Sequence, residues 1–345
     1  MAVPASPAQR RRPAAADAPR RPVPTAYGDA VELFVSRTRH TRSGSPHTEA
    51  AYRTDLRHFG AFLDGRALGY DAVGRRDAEL YLARLASGHA ARTVRRRVSC
   101  VRSFYRFLRA VEVVAQNPFD ALDLPDVDRK SETHKVLTDD ELARVVEILA
   151  RDVAQADRRF RDAEPGPARA RAFARLFTAE RRRAAVTLMA FAGLRRGEVV
   201  GLTRDAIVER PDGFALAFTG KGGKRRSVPL VAFAYPVLFG WLAVRRRVPT
   251  GSPAVLVTLA GRAVAPKQLK RDCKRLGERA ETRHPLTPHV LRRTFATRSL
   301  RASGDIRSVQ VLLGHASIGT TEVYTHVDLD GLRALVEATA LADAP

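Results

Sequence analysis

Thr287-Pro288-His289-Val290-Leu291-Arg292 sets an imidazole three residues ahead of a guanidinium, so that on a helix His289 and Arg292 share one face. Downstream, Leu313-Gly314-His315 is followed, nine residues after its histidine, by Tyr324-Thr325-His326. Upstream stands Ala192-Gly193-Leu194-Arg195-Arg196-Gly197-Glu198. Between them lie two strand-like runs, Phe214 to Thr219 and Arg226 to Leu230. Gly220-Lys221-Gly222-Gly223-Lys224 joins them, which reads as a β-hairpin with a glycine-rich tip. Each segment alone also has an ordinary reading: a helix end with a stray arginine, a flexible turn, a tyrosine engaged in packing.

Together the four segments supply what transesterification of a phosphodiester requires. Attack on a phosphate concentrates negative charge on its non-bridging oxygens, and two planar guanidiniums, Arg195 and Arg292, can hold that charge bidentately. His289 can donate to the same phosphate or move a proton. Tyr324 offers a phenolic nucleophile whose ionised form is favoured beside clustered positive charge. Lys221, at the hairpin tip, carries a proton it can give to a departing 5′-oxygen, and His315 completes the set as a hydrogen-bond donor. The pattern calls for no metal: arginines stand where a two-metal nuclease needs clustered carboxylates.

The rest of the chain reads as a carrier for this set. The first 24 residues mix six prolines with five arginines and cannot build a core, so residues 1–24 are read as a disordered basic arm. Over residues 25–125 apolar side chains recur at helical spacing, as in Tyr52, Leu56, Phe59 and Leu63, then Val94, Val98, Val101, Tyr105 and Leu108. This is an all-α domain. Arg92, Arg95, Arg96, Arg97 and Arg102 crowd its last helix and are candidates for the DNA backbone, against the plainer reading of a solvated face. Residues 126–136 read as a linker. Thr138 and Glu141 then form a capping box that opens a second domain, residues 137–345. Arg151 to Arg183 reads as helix broken at Pro165-Gly166-Pro167, with no chemistry assigned. A tail with Leu332, Leu335, Val336 and Leu341 suits docking on a neighbouring copy or on its own domain, the neighbour being favoured. A formal charge of +23 puts a polyanion high among partners, although an arginine-rich genome would produce the same excess. Two cysteines, no membrane-length apolar run and no secretory leader point to the cytoplasm, in a bacterium the nucleoid.

These residues resemble the tyrosine recombinases, and among them the Xer-like recombinases and short phage-type integrases. In family terms Arg195 falls in the first arginine box with Glu198 as its acidic support, Lys221 matches the hairpin lysine, and His289 and Arg292 match H-x-x-R. His315 falls in L-G-H, and Tyr324 takes the nucleophile's place. The segment Thr93 to Leu108 with Asn117-Pro118 looks like the family's core-binding domain. The resemblance implies a mainly α fold with a small β-hairpin or sheet, a SAM-like helical domain and an α+β catalytic domain clamping duplex DNA. It implies strand cutting through a 3′-phosphotyrosyl bond to Tyr324, no cofactor, and a tetramer on two DNA sites, with or without a paralogous recombinase. The expected task is Xer-like dimer resolution in chromosome partition and cell division, with integration of a phage or mobile element as the alternative. Two departures from the pattern are Arg293, where many Xer proteins carry histidine, and the length of the 151–183 stretch. A non-catalytic DNA-binding relative should have lost one of the six positions, and none is lost. The N-terminal region argues against a topoisomerase IB-like enzyme.

Overall fold

The computed structural model describes residues 26–39, 46–126, 135–220, 225–314, 334, 336 and 337. The chain divides into two compact units, Met1–Asp128 and Arg129–Pro345.

Helices α1 (Tyr27–Arg39), α2 (Pro46–Asp64), α3 (Arg75–Gly88) and α4 (Ala91–Ala110) build the first unit. In α4 the side chains of Val94, Val98, Val101, Phe104, Tyr105 and Leu108 return every three or four residues, and all are buried. Their partners are aromatic: Phe59 meets Tyr81 edge-on at 5.0 Å, and Phe104 meets Tyr27 at 5.9 Å. Two phenols, one buried and one half-buried, find backbone acceptors, Tyr105 donating to the Tyr70 carbonyl at 2.6 Å and Tyr27 to that of Leu56 at 2.7 Å.

The arginines of α4 have more than one duty. Arg102 donates to the carbonyls of Phe119 (2.8 Å) and Leu122 (3.3 Å), and Arg95 to that of Pro125 (3.1 Å), so both fasten the segment after the helix back onto it. Asn117 Nδ2 closes the same turn on the Arg102 carbonyl at 3.1 Å. Arg96 and Arg97 lie against the buried carboxylate of Asp55, while Arg92 is exposed. A face read from sequence as a candidate for the DNA backbone, or else as solvated surface, is therefore in part an internal brace.

In the second unit, Thr138 caps α5 (Asp139–Arg161): its Oγ1 accepts from Glu141 N–H at 3.2 Å, and the Glu141 carboxylate accepts from Thr138 N–H at 2.8 Å. Gly166, at φ 109°, turns the chain into α6 (Pro167–Phe191). The far ends of this pair carry a small core of their own around Val153, Phe160 and Leu176, with Arg247 stacked 4.5 Å over Phe160. The C-terminal half of α6 is buried nearly all round, because α5, α8 (Ala234–Arg245) and α10 (Pro288–Ser303) pack against it. Trp241 of α8 meets Phe177 edge-on at 4.9 Å and donates to the Val255 carbonyl at 2.9 Å.

The hairpin is present with a third strand that the sequence pattern does not separate. β1 (Ile207–Arg210), β2 (Gly213–Thr219) and β3 (Arg225–Pro229) form an antiparallel sheet in that order, with Phe218 opposite Arg226. Short α7 (Arg196–Gly201) precedes the sheet, and α9 (Pro266–Arg279) and α11 (Ile306–Leu313) flank α10 in sequence. From the tail, Val336 is buried in this unit's own core, and Glu337 accepts from Ala232 N–H at 2.9 Å. These two residues are engaged within the chain; Leu332, Leu335 and Leu341, the others on which docking on a neighbour was favoured, lie outside the described residues.

Replacing Arg102 with methionine should keep the buried bulk but orphan two backbone carbonyls, at a cost of about 1–3 kcal/mol. Urea unfolding followed in the first unit should show the loss; an unchanged midpoint would mean that the brace is idle.

Candidate active site

Helix α6 delivers the first arginine. It stops at Gly193, whose φ of 60° lies in the left-handed region, and a Cβ there would come within 2.6 Å of Phe295 Cε1. The sharp stop turns the Gly193 carbonyl toward α10, where Arg292 Nη1 donates to it. Leu194 is buried, and Arg195 begins the next turn ahead of α7.

Glu198 lies at the centre of the charged layer. Its carboxylate, 7% exposed, accepts from the Arg195 backbone N–H at 2.7 Å and from Arg195 Nη1 at 2.8 Å. Arg226 Nη2, from β3, donates to it at 2.6 Å, and Arg292 Nη1 lies 3.7 Å away. The end of α11 completes the cluster. Helix C-termini leave carbonyls without intrahelical partners. Here three in succession are taken by three different arginines: Leu312 by Arg226 at 2.8 Å, Leu313 by Arg292 at 2.5 Å, and Gly314 by Arg195 at 3.0 Å.

Three guanidiniums share one carboxylate, and the electrostatics reflect the excess. Burial, and then the charges of Arg195 and Arg226, bring Arg292 down to about 9, still a cation at neutral pH. Arg195 is the more open of the two sequence-read clamp arginines, 27% exposed against 9% for Arg292. His289, on the first turn of α10 three residues before Arg292, is open to solvent on one side. Partial burial, then the charges of Arg293, Arg196, Arg292 and Arg195, hold its imidazole below the ordinary histidine range.

Of the six residues read from sequence as catalytic, the structure brings Arg195 and Arg292 together at Glu198 and sets His289 one helical turn before Arg292, within reach of the charges of both; Lys221, His315 and Tyr324 lie outside the described residues. Gly314, the last residue before His315, is part of the cluster. Arg226 was missed. Its only sequence signal is a position in the strand after the glycine-rich tip, and nothing in the alternation of that strand marks it as buried. The six tyrosines other than Tyr324 all serve packing: five lie in or against the core of the first unit, and Tyr235 is bonded to Leu230 and Phe214. Among the described residues no group of histidine, cysteine, aspartate and glutamate could hold a metal ion, and no helix is long and apolar enough to cross a membrane.

A helical domain followed by a helical domain with a three-stranded sheet, carrying clustered arginines and H-x-x-R, defines a DNA strand-transferase of the tyrosine class. Residues 31–112 match the model described as "Phage integrase, N-terminal SAM-like domain", and residues 170–330 match that of the "Phage integrase family". The second span includes all six positions read as catalytic. The chain is 35% identical to a tyrosine recombinase XerC of Chlorobaculum parvum, over 89% of this chain and 93% of that protein. It is 31% identical to the tyrosine recombinase XerC of Pseudomonas syringae pv. tomato, over 89% and 94%. In fold it is similar to the XerH site-specific recombinase bound to difH substrate, with a TM-score of 0.60 at 20% identity over 88% of this chain and 83% of that one. It is also similar to a lambda integrase dimer bound to a COC′ core site, with a TM-score of 0.58 at 16% identity over 84% and 74%. The chain belongs to the tyrosine recombinase family and is Xer-like.

Gly193→Ala should destabilise the protein by about 1–2 kcal/mol from left-handed backbone alone, before the collision with Phe295 is counted. Thermal unfolding checks it, and a stability equal to wild type would show that the turn needs no glycine. For His289 the sign is equally definite: the cation is disfavoured, so the ring titrates below 6.5 and is mostly neutral at that pH. An anion bound beside it should move the midpoint up. NMR titration of the ring nitrogens with and without inorganic phosphate measures both, and a midpoint above 6.5 in the free protein would contradict the electrostatic account.

Proposed function

We propose that this chain is a site-specific recombinase that breaks and rejoins duplex DNA with Tyr324 as nucleophile, in an Xer-like role of resolving chromosome or plasmid dimers. The observation that carries the reading is the convergence of guanidiniums at the start of α10, the end of α6 and the hairpin, around one buried carboxylate. Such a cluster suits a phosphate, and its excess charge grows in value as negative charge builds on the phosphate during attack. The similarity to XerC proteins over nearly their whole length supports the Xer role over element integration.

In this mechanism Arg195 and Arg292 grip the non-bridging oxygens of the scissile phosphate. The phenolate of Tyr324 attacks phosphorus, the bond to the 5′-oxygen breaks, and Lys221 gives that oxygen its proton. His289 and His315 hold the phosphate by hydrogen bonds. The 3′-phosphotyrosyl bond keeps the energy of the broken one, and a 5′-hydroxyl of the partner duplex reverses the step. That all six other tyrosines are engaged in packing supports the assignment of Tyr324.

Residues 25–125 would bind the duplex as the core-binding domain, joined through residues 126–136 to a catalytic domain of residues 137–345. Exposed Arg92, with the partly engaged Arg95, Arg96, Arg97 and Arg102, would lie along phosphates. A tetramer on two DNA sites, in the nucleoid, alone or with a paralogous recombinase, is the expected working assembly.

Covalent protein–DNA adducts trapped in cells from wild type and from Tyr324→Phe, with their DNA ends sequenced, test this directly. Adducts at one chromosomal locus that vanish in the variant are expected. Ends at the borders of a mobile element would replace dimer resolution by integration, and adducts persisting in the variant would show that another residue is the nucleophile. Arg195→Ala and Arg292→Ala should each slow adduct formation by about 10²–10³-fold. Cleavage at the wild-type rate by either variant would remove that arginine from the clamp.

A further inference from the structure

The functional reading above uses two of the three arginines that meet Glu198. We propose that the third, Arg226, is a positioning residue, which fixes Glu198 and the last turn of α11 and through them the phosphate donors of Arg195 and Arg292. This rests on the reading of the site as a phosphate clamp and adds a residue to it.

Arg226 is built as a joint. It leaves β3 opposite Phe218, and its guanidinium lies 4.9 Å over that ring, which supports one face. Nη2 donates to Glu198 Oε2 at 2.6 Å and Nη1 to the Leu312 carbonyl at 2.8 Å. One rigid fork thus ties the sheet to the start of α7 and to the end of α11. The side chain is 10% exposed, which leaves it little surface for DNA, and the end of α11 closes over it: a Cβ on Gly314 would come within 2.8 Å of Nη1.

Its removal has a definite consequence. Glu198 Oε2, losing its nearest side-chain donor, has Arg292 Nη1 3.7 Å away to turn to, and a guanidinium drawn onto the carboxylate has fewer donors for phosphate. The Leu312 carbonyl would lose its partner too, loosening a helix end whose next two carbonyls are held by Arg292 and Arg195. Lysine does not replace this function, because an ammonium is a point donor and the two acceptors sit on separate arms of a fork.

The test compares wild type, Arg226→Lys, Arg226→Met, Glu198→Gln and the Arg226→Met/Glu198→Gln double variant on a nicked duplex bearing the site mapped from cellular adducts. Affinity is read by fluorescence anisotropy, and the rate of covalent adduct formation in a single turnover. Arg226→Lys and Arg226→Met should bind as wild type does and form the adduct about 100-fold more slowly, the scale of a small misplacement in a reacting site. The double variant should be no slower than the slower single one. Arg226→Lys keeps the charge and guards against loss of fold, so wild-type rates in it would overturn the proposal. So would an affinity that falls in parallel with the rate, or losses that multiply in the double variant. A wild-type protein that forms no adduct would overturn the reading of the site and this inference with it.

Discussion

One carboxylate governs the second unit. Glu198 is the acidic group on which three guanidiniums converge, each brought by a different stretch of chain: the end of α6, the hairpin strand β3 and the start of α10. Like charges at such distances repel, and burial raises the cost. Glu198 makes the assembly possible without neutralising it. Backbone carbonyls at the end of α11 and at Gly193 supply further acceptors without adding formal charge.

The surrounding fold explains how such a cluster is held. A buried helix, α6, ends in a left-handed glycine pressed against Phe295 of α10, so the helix that leads into Arg195 and the helix that carries Arg292 are locked by apolar contact immediately below the charged layer. At the other edge Gly314 leaves room for Arg226 where any side chain would collide. Leu312 and Leu313 are buried in the same core, so the carbonyls presented to the arginines are anchored by their own side chains. Hydrophobic packing sets the distances, and the polar layer exploits them.

Much of this was legible in the sequence, for identifiable reasons. Helical periodicity exposed α4, and the Thr138–Glu141 capping box marked the start of α5, because these signals are local. The pairing of His289 with Arg292 followed from spacing on one helix. What stayed hidden depends on tertiary contact. The short strand β1 lacks a strong alternating pattern and exists through its pairing with β2. Arg95 and Arg102 looked like surface charge, since nothing local tells an arginine that will fasten a distant carbonyl from one that will meet solvent. Arg226 was hidden for the same reason: its acceptors lie 28 and 86 residues away in the chain.

Under the proposed function, the excess of positive charge suits the cluster to a reaction on a phosphate better than to simple retention of DNA. A phosphodiester carries one negative charge, and attack by a phenolate builds a second onto the same phosphorus centre. Three guanidiniums against one carboxylate leave two net positive charges, matched to that later state more closely than to the starting one. A further acidic residue would make the free protein more comfortable and the transition state less so. The same excess favours ionisation of a phenol brought beside it, in contrast to the buried tyrosines of the first unit, whose hydroxyls burial pushes upward in pKa. In the proposed reaction, preference for the transition state over the ground state would rest on this excess, and the carbonyls of α11 hold the arginines without reducing it.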